Sequence, residues 1–585
     1  MPTYFRLIKR VIWTSAAGLS AVAAFQTFGP EVPMTQSVAI AQDDLLSKTW
    51  AEIARHGGGT PTFQGIQSCV PCHNESIGEK TPFVTLNREF CALNEVSVFT
   101  DDKHRQAWEL LKGQLGKQMQ KILARSKGDS NYSVIKDKQC LACHANLPPD
   151  KDVADFPSLE FGVTCESCHG PSSLWEGPHK EPWWRKMSAQ EKEQEWGMID
   201  VRNPVRRAQQ CFSCHIGNVQ EGKVVTHEMY AAGHPPLPGI EIETFSEQMP
   251  AHWRTLTEKG EFKHREDYLT ANFPEQGQTP LTDLTRTKSV IIGGTMALRE
   301  TVNLFASQAV AEDSQAWPEL AVFDCSACHH DLGAPSWRQK RGYGKSLPGR
   351  PQMFAWPEAL VKLGIRQRSG DDDAAFQKDW DTYHGKIEEL RRVLDRRPFG
   401  DPKAIQAVAM GDEGLVAWLD QLAGDVFQSP VGQEDADRAL QTLVALPPET
   451  YPDFHSARQL VWAIRTIVAE INTEVPKLAA VPEGESNKAA IDRGLRNLKT
   501  FYAWKVGERA AAEKKIDDLL TQLELTQKLR LVLPAGTGGA AYDEPPEELI
   551  GDQLPESLKA IGSYDPEWFR GQLQELAKTM NSASN

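Results

Sequence analysis

Ten of the eleven cysteines fall into five Cys-x-x-Cys-His units: Cys69–Cys72–His73, Cys140–Cys143–His144, Cys165–Cys168–His169, Cys211–Cys214–His215 and Cys325–Cys328–His329. Random placement of the cysteines and histidines would yield about 0.005 such units, so chance is excluded. Two thiols three positions apart lie on one side of a single helical turn, where each can add to a vinyl group of the same porphyrin. The histidine that follows is then held beneath the iron as its proximal ligand. The five units predict five covalently attached haem c groups, with His73, His144, His169, His215 and His329 on the irons. A zinc reading would need cysteine pairs combined into four-ligand sets and gives no reason for a histidine after every pair. A disulfide framework, or a redox-active Cys-x-x-Cys used five times, leaves the histidine equally unexplained. The eleventh cysteine, Cys91, stands in an apolar-flanked stretch and reads as a buried free thiol.

A low-spin, electron-carrying haem needs a second axial ligand, and ten of the fifteen histidines remain to supply it. Four have informative contexts. His104 opens a helix-like stretch running to about Leu123. His179 lies ten residues after its haem motif, beyond a Gly170-Pro171 turn that folds the chain back. His227 and His234 are seven apart, a spacing that on a helix shares one face and serves two neighbouring haems. These four are expected as distal ligands, with His252, in Met249-Pro250-Ala251-His252-Trp253, as the fifth. His330 directly follows a proximal ligand and cannot reach the far side of the same iron. His56, His264, His384 and His455 read as ordinary side chains.

Cys165-Glu166-Ser167-Cys168-His169-Gly170-Pro171, Cys211-Phe212-Ser213-Cys214-His215 and the run from His227-Glu228-Met229 to Ala232-Gly233-His234-Pro235 together resemble the multihaem cytochrome c-552/c-554 family. That family also places a distal histidine after its first motif, similar to His104. The resemblance spans roughly residues 60 to 335. It implies a mostly helical domain of closely stacked haems that passes electrons in nitrogen or related respiratory metabolism, some haems bis-histidine and one five-coordinate. The chain departs from the tetrahaem pattern in its fifth motif, Cys325-Ser326-Ala327-Cys328-His329, and in a long C-terminal extension.

These residues need elements to position them, and the chain of 585 residues exceeds one ordinary domain. Residues 1–45 read as an export segment and tail. Arg6, Lys9 and Arg10 precede an apolar run from Val11 to Phe25, and Ala39 and Ala41 offer a cleavage site. An uncleaved N-terminal membrane anchor is the alternative, since that site lies far from the apolar run. Residues 46–348 hold every haem motif, with the short step between the second and third motifs pointing to two haems held close together. Ile291 to Val310 reads as a helix in the long last gap. Residues 349–585 are free of cysteine and follow a helical pattern. Asp373 to Arg397 is amphipathic, Ser456-Ala457-Arg458-Gln459 has capping-box form, and Asn487 to Leu531 is long enough for one or two helices. Pro534 to Gly539 is a break, and Asp565-Pro566-Glu567 starts a last helix carrying Phe569, Leu573, Leu576 and Met580. The expected fold is mainly α, with little regular sheet and a C-terminal helical bundle.

The net charge of −15 lacks the basic footprint of a nucleic-acid binder and suits encounters with basic redox partner proteins. Two function classes follow. The leading one is an exported, periplasmic electron carrier without bond-making on substrate. The alternative is a multihaem oxidoreductase acting on a small nitrogen or sulfur compound at a five-coordinate haem. Ammonia-forming nitrite reductases also carry five haems, but their usual catalytic motif ends in lysine, whereas all five motifs here end in histidine.

Overall fold

The computed structural model describes residues 60–74, 91–254, 271–272, 283–311, 317–330, parts of 333–350, 351–479, 513–521 and 564–581. The protein is mainly α. Among the described residues there is no strand, only two isolated bridges, Asn218–Lys223 and Phe323–Met353.

Each Cys-x-x-Cys-His unit is one helical turn. The second forms the end of α1 (Lys138–His144), the third is α2 (Cys165–His169), and the fourth is the last turn of α3 (Pro204–His215). The starts are capped locally, Asp137 accepting from the Gln139 N–H and Asn203 from the Val205 N–H, with Pro204 at the first helical position. The first and fifth units lie at 3-10 turns, Ile66–Ser68 and Cys325–Ala327. There the His73 N–H still donates to the Cys69 carbonyl at 3.0 Å, and His329 N–H to that of Cys325 at 2.7 Å. A further short helix, α4 (His227–Ala231), starts at Thr226, whose hydroxyl accepts from the Met229 N–H.

The centre of the fold is α5 (Thr285–Val310), buried on every face from Val290 to Val302, as a helix enclosed by others must be. It packs against α3 on the motif-bearing side. On the other it meets α6 (Val361–Ser369), α8 (Pro402–Met410), α9 (Leu415–Gln428) and α11 (Phe454–Ala479). The set also contains α7 (Asp373–Arg396), α10 (Gln433–Val444) and α12 (Pro566–Asn581). Close approach is possible because α5 carries Gly294, where a Cβ would overlap Leu360. Arg299 of α5 is buried and reaches Asp420 of α9 at 2.9 Å and Glu300 at 3.0 Å, so the charges in this core are paired.

The sequence places the start of α5 at Ile291, and the helix begins six residues earlier. Its N-cap, Leu284, has no side chain to offer, and the orphan N–H groups are satisfied from α11 instead. Glu470 accepts from the Arg286 and Thr287 N–H groups at 2.8 and 2.6 Å and from the Thr287 hydroxyl at 2.7 Å. A carboxylate at a helix N-terminus also meets the positive end of its dipole. A second correction concerns α11, which starts at Phe454 and not after a Ser456 capping box. Asp453 takes the capping role, accepting from the Ser456 N–H at 2.8 Å and hydroxyl at 3.0 Å. The stretch from His104 to Leu123 is three pieces, Lys103–Gln106, Ala107–Lys112 and Gln114–Ser126, broken at Gly113. Cys91 is half-buried, not buried. The expected α7 ends at Arg396, one residue short of its predicted limit, and α12 buries Phe569, Leu573 and Leu576 as expected. The export segment, most of Asn487 to Leu531, and Pro534 to Gly539 lie outside the described residues.

Burial pushes the Glu470 carboxyl up to about 7 against the pull of its hydrogen-bond donors. A carboxyl raised in the folded state favours folding while protonated. Its contribution is fully present below about 4.5 and is lost as pH rises through 7, a swing on the order of 3 kcal/mol. Glu470→Gln keeps an acceptor for the helix N-terminus and removes the titration. Its thermal midpoint should fall less than that of the unmodified protein between pH 4.5 and 7.5. Parallel curves for the two proteins would assign the dependence elsewhere.

Candidate metal centres

Four histidine ring pairs join segments distant in sequence. His73 faces His179 with ring centroids 6.2 Å apart, His104 faces His215 at 6.2 Å, His144 faces His234 at 6.5 Å and His227 faces His329 at 6.2 Å. Every pair couples one motif histidine to one of the four expected distal residues. Two iron–imidazole bonds of about 2 Å each, plus roughly 1 Å from each bonded nitrogen to its own ring centre, ask for about 6 Å between centroids. The spacing is too wide for direct ring stacking and matches one metal ion between the rings.

Ring orientation points the same way. Nδ1 of His144 donates to the Ala107 carbonyl at 2.6 Å, that of His179 to Trp175 at 3.0 Å and that of His234 to Pro235 at 2.7 Å. A carbonyl can only accept, so Nδ1 carries the proton and the Nε2 lone pair is left for a metal. His73 and His104 use carboxylates instead. Nδ1 of His73 lies 2.8 Å from Glu95, and that of His104 lies 3.0 Å from Asp102, which also accepts the His104 N–H. Burial alone would depress both imidazoles, but the bond and charge of the neighbouring carboxylate outweigh it and raise them. Burial pushes His169, His215 and His234 down to about 4, which keeps these rings neutral at ordinary pH, the form that binds metals.

The attachment residues also meet. Cys69 neighbours Cys165, and Cys143 neighbours Cys214, closely enough for each to perturb the other's ionisation. Cys168 lies in the electrostatic field of Cys211 and Cys214. Glu166, inside the third motif and buried, accepts from the Gln64, Gly65 and Ser172 N–H groups at 2.9, 2.7 and 2.8 Å. It thereby ties the approach to the first motif onto the third. Lys223 is buried beside Cys214 and Cys143, donating to Ser213 at 3.2 Å and pairing with Glu221 at 2.5 Å. In the fifth unit Cys328 is exposed.

Residues 68–170 match the family described as cytochrome c554 and c-prime. The motif-bearing region is cytochrome c-554-like. Cytochrome c-554 of Nitrosomonas europaea is 23% identical over 157 residues, 26% of this chain. The match spans 57% of that relative's length, and no solved structure matches. The likeness is to a c-type cytochrome, the class that its five Cys-x-x-Cys-His units also indicate. Haem iron held at such rings would cycle by one electron, tuned by its axial ligands and their hydrogen bonds.

His252 behaves differently from the four paired residues. Its Nδ1 lies 3.3 Å from the Pro250 carbonyl, and its ring meets Trp253 edge-on at 5.1 Å. His169 and Asp102 lie within its electrostatic reach. Among the described residues no histidine ring stands opposite His169 at the spacing of the other pairs, and His56 and His264 lie outside them. The expectation that His227 and His234 share a helical face does not hold. Helix α4 ends at Ala231 and Gly233 turns the chain at φ +114°, so one residue reaches His329 and the other His144. Sequence reasoning missed Glu95 and Asp102. Asp102 carried a local sign, an Asp two residues before a histidine at a helix start, whereas Glu95 is 22 residues from His73 with nothing local to link them.

The ring planes make a spectroscopic prediction. Interplanar angles are 17° and 26° for His73–His179 and His227–His329, and 89° and 86° for His104–His215 and His144–His234. Near-parallel imidazoles split the iron d orbitals rhombically and perpendicular ones leave them nearly degenerate. Ferric EPR should therefore resolve two rhombic low-spin signals and two with one very large g value. Four alike would contradict the ring geometry. A second prediction concerns Glu95, whose carboxylate would donate electron density through the His73 ring and favour the ferric state of an iron held there. Glu95→Gln should move one midpoint potential positive and leave the others in place, read by spectroelectrochemical titration.

Proposed function

We propose that this chain is an exported pentahaem cytochrome that passes electrons between redox partner proteins in a respiratory or nitrogen-metabolism chain. One haem c is attached at each Cys-x-x-Cys-His unit, with the motif histidine proximal. His179, His234, His104 and His227 supply the second ligands for the first, second, fourth and fifth haems. The observation that carries this reading is the set of four ring pairs, each joining a motif histidine to a histidine outside the motifs.

The nearness of the motifs supports a relay. Cys69 of the first neighbours Cys165 of the third, Cys143 of the second neighbours Cys214 of the fourth, and Cys168 of the third feels the charge of Cys211. The exposed fifth unit suits exchange with a partner. In this reading residues 1–45 direct export, residues 46–348 carry the haems and residues 349–585 form the helical region built on α5. Among the described residues no helix is long and apolar enough to cross a membrane.

A second reading attaches to the third unit, because His169 lacks an imidazole at the spacing of the others among the described residues. With His252 as its distal ligand the protein is a pure carrier. With that side open it is an oxidoreductase acting on a small nitrogen or sulfur compound.

Intact mass and spin state test both. The mature protein should exceed its polypeptide mass by five haems, and an excess of fewer would overturn the pentahaem reading. A purely low-spin ferric spectrum that does not respond to nitrite, hydroxylamine or carbon monoxide would remove the oxidoreductase and assign His252 or another side chain to the third iron.

A further inference from the structure

A short hairpin carries one lysine into the motif-bearing core. Asn218 and Lys223 exchange both backbone hydrogen bonds, at 2.7 and 2.9 Å, and Gly222 closes the turn at φ +67°. The Asn218 side chain fixes the tip, Oδ1 accepting from the Glu221 N–H and Nδ2 donating to the Glu221 carboxylate, both at 3.1 Å. The turn delivers the Lys223 ammonium to the fourth motif. There Nζ donates to the Ser213 hydroxyl at 3.2 Å, and that oxygen lies 3.8 Å from the Cys214 sulfur. Nζ also pairs with Glu221 at 2.5 Å. The two charges are not equally placed, since the lysine side chain is 4% exposed and that of Glu221 35%.

Taking an ammonium out of water costs several kcal/mol even when it is paired, and the charge then acts on whatever surrounds it. Here the surroundings are attachment residues. Cys143 of the second motif and Cys214 of the fourth both feel Lys223, and at each the ammonium outweighs the carboxylate of Glu221. Cys168 of the third feels it behind Cys211, Cys214 and Asp102. Cys69 of the first lies instead in the field of the Glu166 carboxylate. A haem attached at the second or fourth motif has its vinyl edge at these sulfurs, where burial leaves the lysine charge poorly screened. Reduction adds one negative charge to such a group, and a nearby cation stabilises it.

We propose that the buried ammonium of Lys223 raises the reduction potentials of the haems attached at the second and fourth motifs, so that this pair draws electrons from the first. The inference rests on the pentahaem reading and goes beyond it, since it gives the relay a direction. Lys223 acts as a tuning residue and ligates nothing. At the fourth haem Asp102, bonded to His104, works against it. Both rings of the second, His144 and His234, donate to carbonyls, and nothing opposes it there but Glu221. The second haem is therefore the highest in potential of the first, second and fourth.

The test uses the full-length, haem-loaded protein carrying Lys223→Met, Lys223→Arg or Glu221→Gln. Haems are counted by intact mass, and midpoints come from redox titrations followed by absorbance and ferric EPR. The perpendicular ring pairs, His144–His234 and His104–His215, belong to the second and fourth motifs, so the two large-g signals report the haems in question. Lys223→Met should move both of their midpoints negative, shift the third haem less and leave the two rhombic signals in place. Glu221→Gln removes the opposing charge and should move the same two positive. Lys223→Arg should keep them near their original values. Should Lys223→Met fail to accumulate, Glu221→Gln decides by the sign of its shift. Full haem loading with every midpoint unmoved, or a shift confined to the rhombic signals, would overturn the inference and leave the pentahaem reading standing. Fewer than five haems in the unmodified protein would overturn the pentahaem reading, while the two large-g signals still decide the role of Lys223.

Discussion

The arrangement of the motif-bearing half depends on one distance, the roughly 6 Å between two imidazole centres that share a metal. A Cys-x-x-Cys-His turn supplies only half of such a centre. The other half must arrive from elsewhere, and in the four pairs His73–His179, His104–His215, His144–His234 and His227–His329 it arrives from far along the chain. Each pair closes a loop of roughly a hundred residues, and loops of that length are cheap to extend but costly to close. The pairs also interlace, since His104 and His144 both lie between His73 and His179 in sequence while their partners lie beyond it. A metal bound between such rings would link ligation and folding in one free energy.

The imidazoles are held before any metal chemistry is considered. Carbonyls of Ala107, Trp175 and Pro235 fix the tautomer at three rings, and carboxylates of Glu95 and Asp102 fix it at two. The two sorts of acceptor do different things. A neutral carbonyl orients the ring, whereas a carboxylate also raises its basicity, which would favour the oxidised state of a bound iron. The His144–His234 pair is held by carbonyls alone, while His73–His179 and His104–His215 each contain one carboxylate-bound ring. Iron centres with the same ligand pair would thereby sit at different potentials.

Much of the site was legible because attachment is written in contiguous residues. The motif histidines follow from five short strings, and the four histidines that face them are among those that nearby turns and motifs single out. What was not legible was who meets whom. His227 and His234 looked like neighbours on one helix, but the break after Ala231 and the turn at Gly233 send them to different motifs. The fold shows the same division. Helices with their own caps, such as α7 and α12, were read to within a residue. The start of α5 was misplaced because its cap, Glu470, comes from another helix, and no local pattern records a partner so distant.

Helix α5 explains why the cysteine-free region is not an appendage. One side of it receives α3, which carries the fourth motif, and the other receives α6, α8, α9 and α11. Its N-terminus depends on Glu470 of α11, and its middle on Asp420 of α9 for the charge of Arg299. The core that seats His215 is therefore built partly from residues beyond 350. Removing those residues would expose Val290, Ile292, Met296 and Leu298, all fully buried in α5, and leave Arg299 without its Asp420 partner. A chain with a fifth motif 114 residues beyond the fourth must hold the intervening segment against something, and the C-terminal helices are what it is held against.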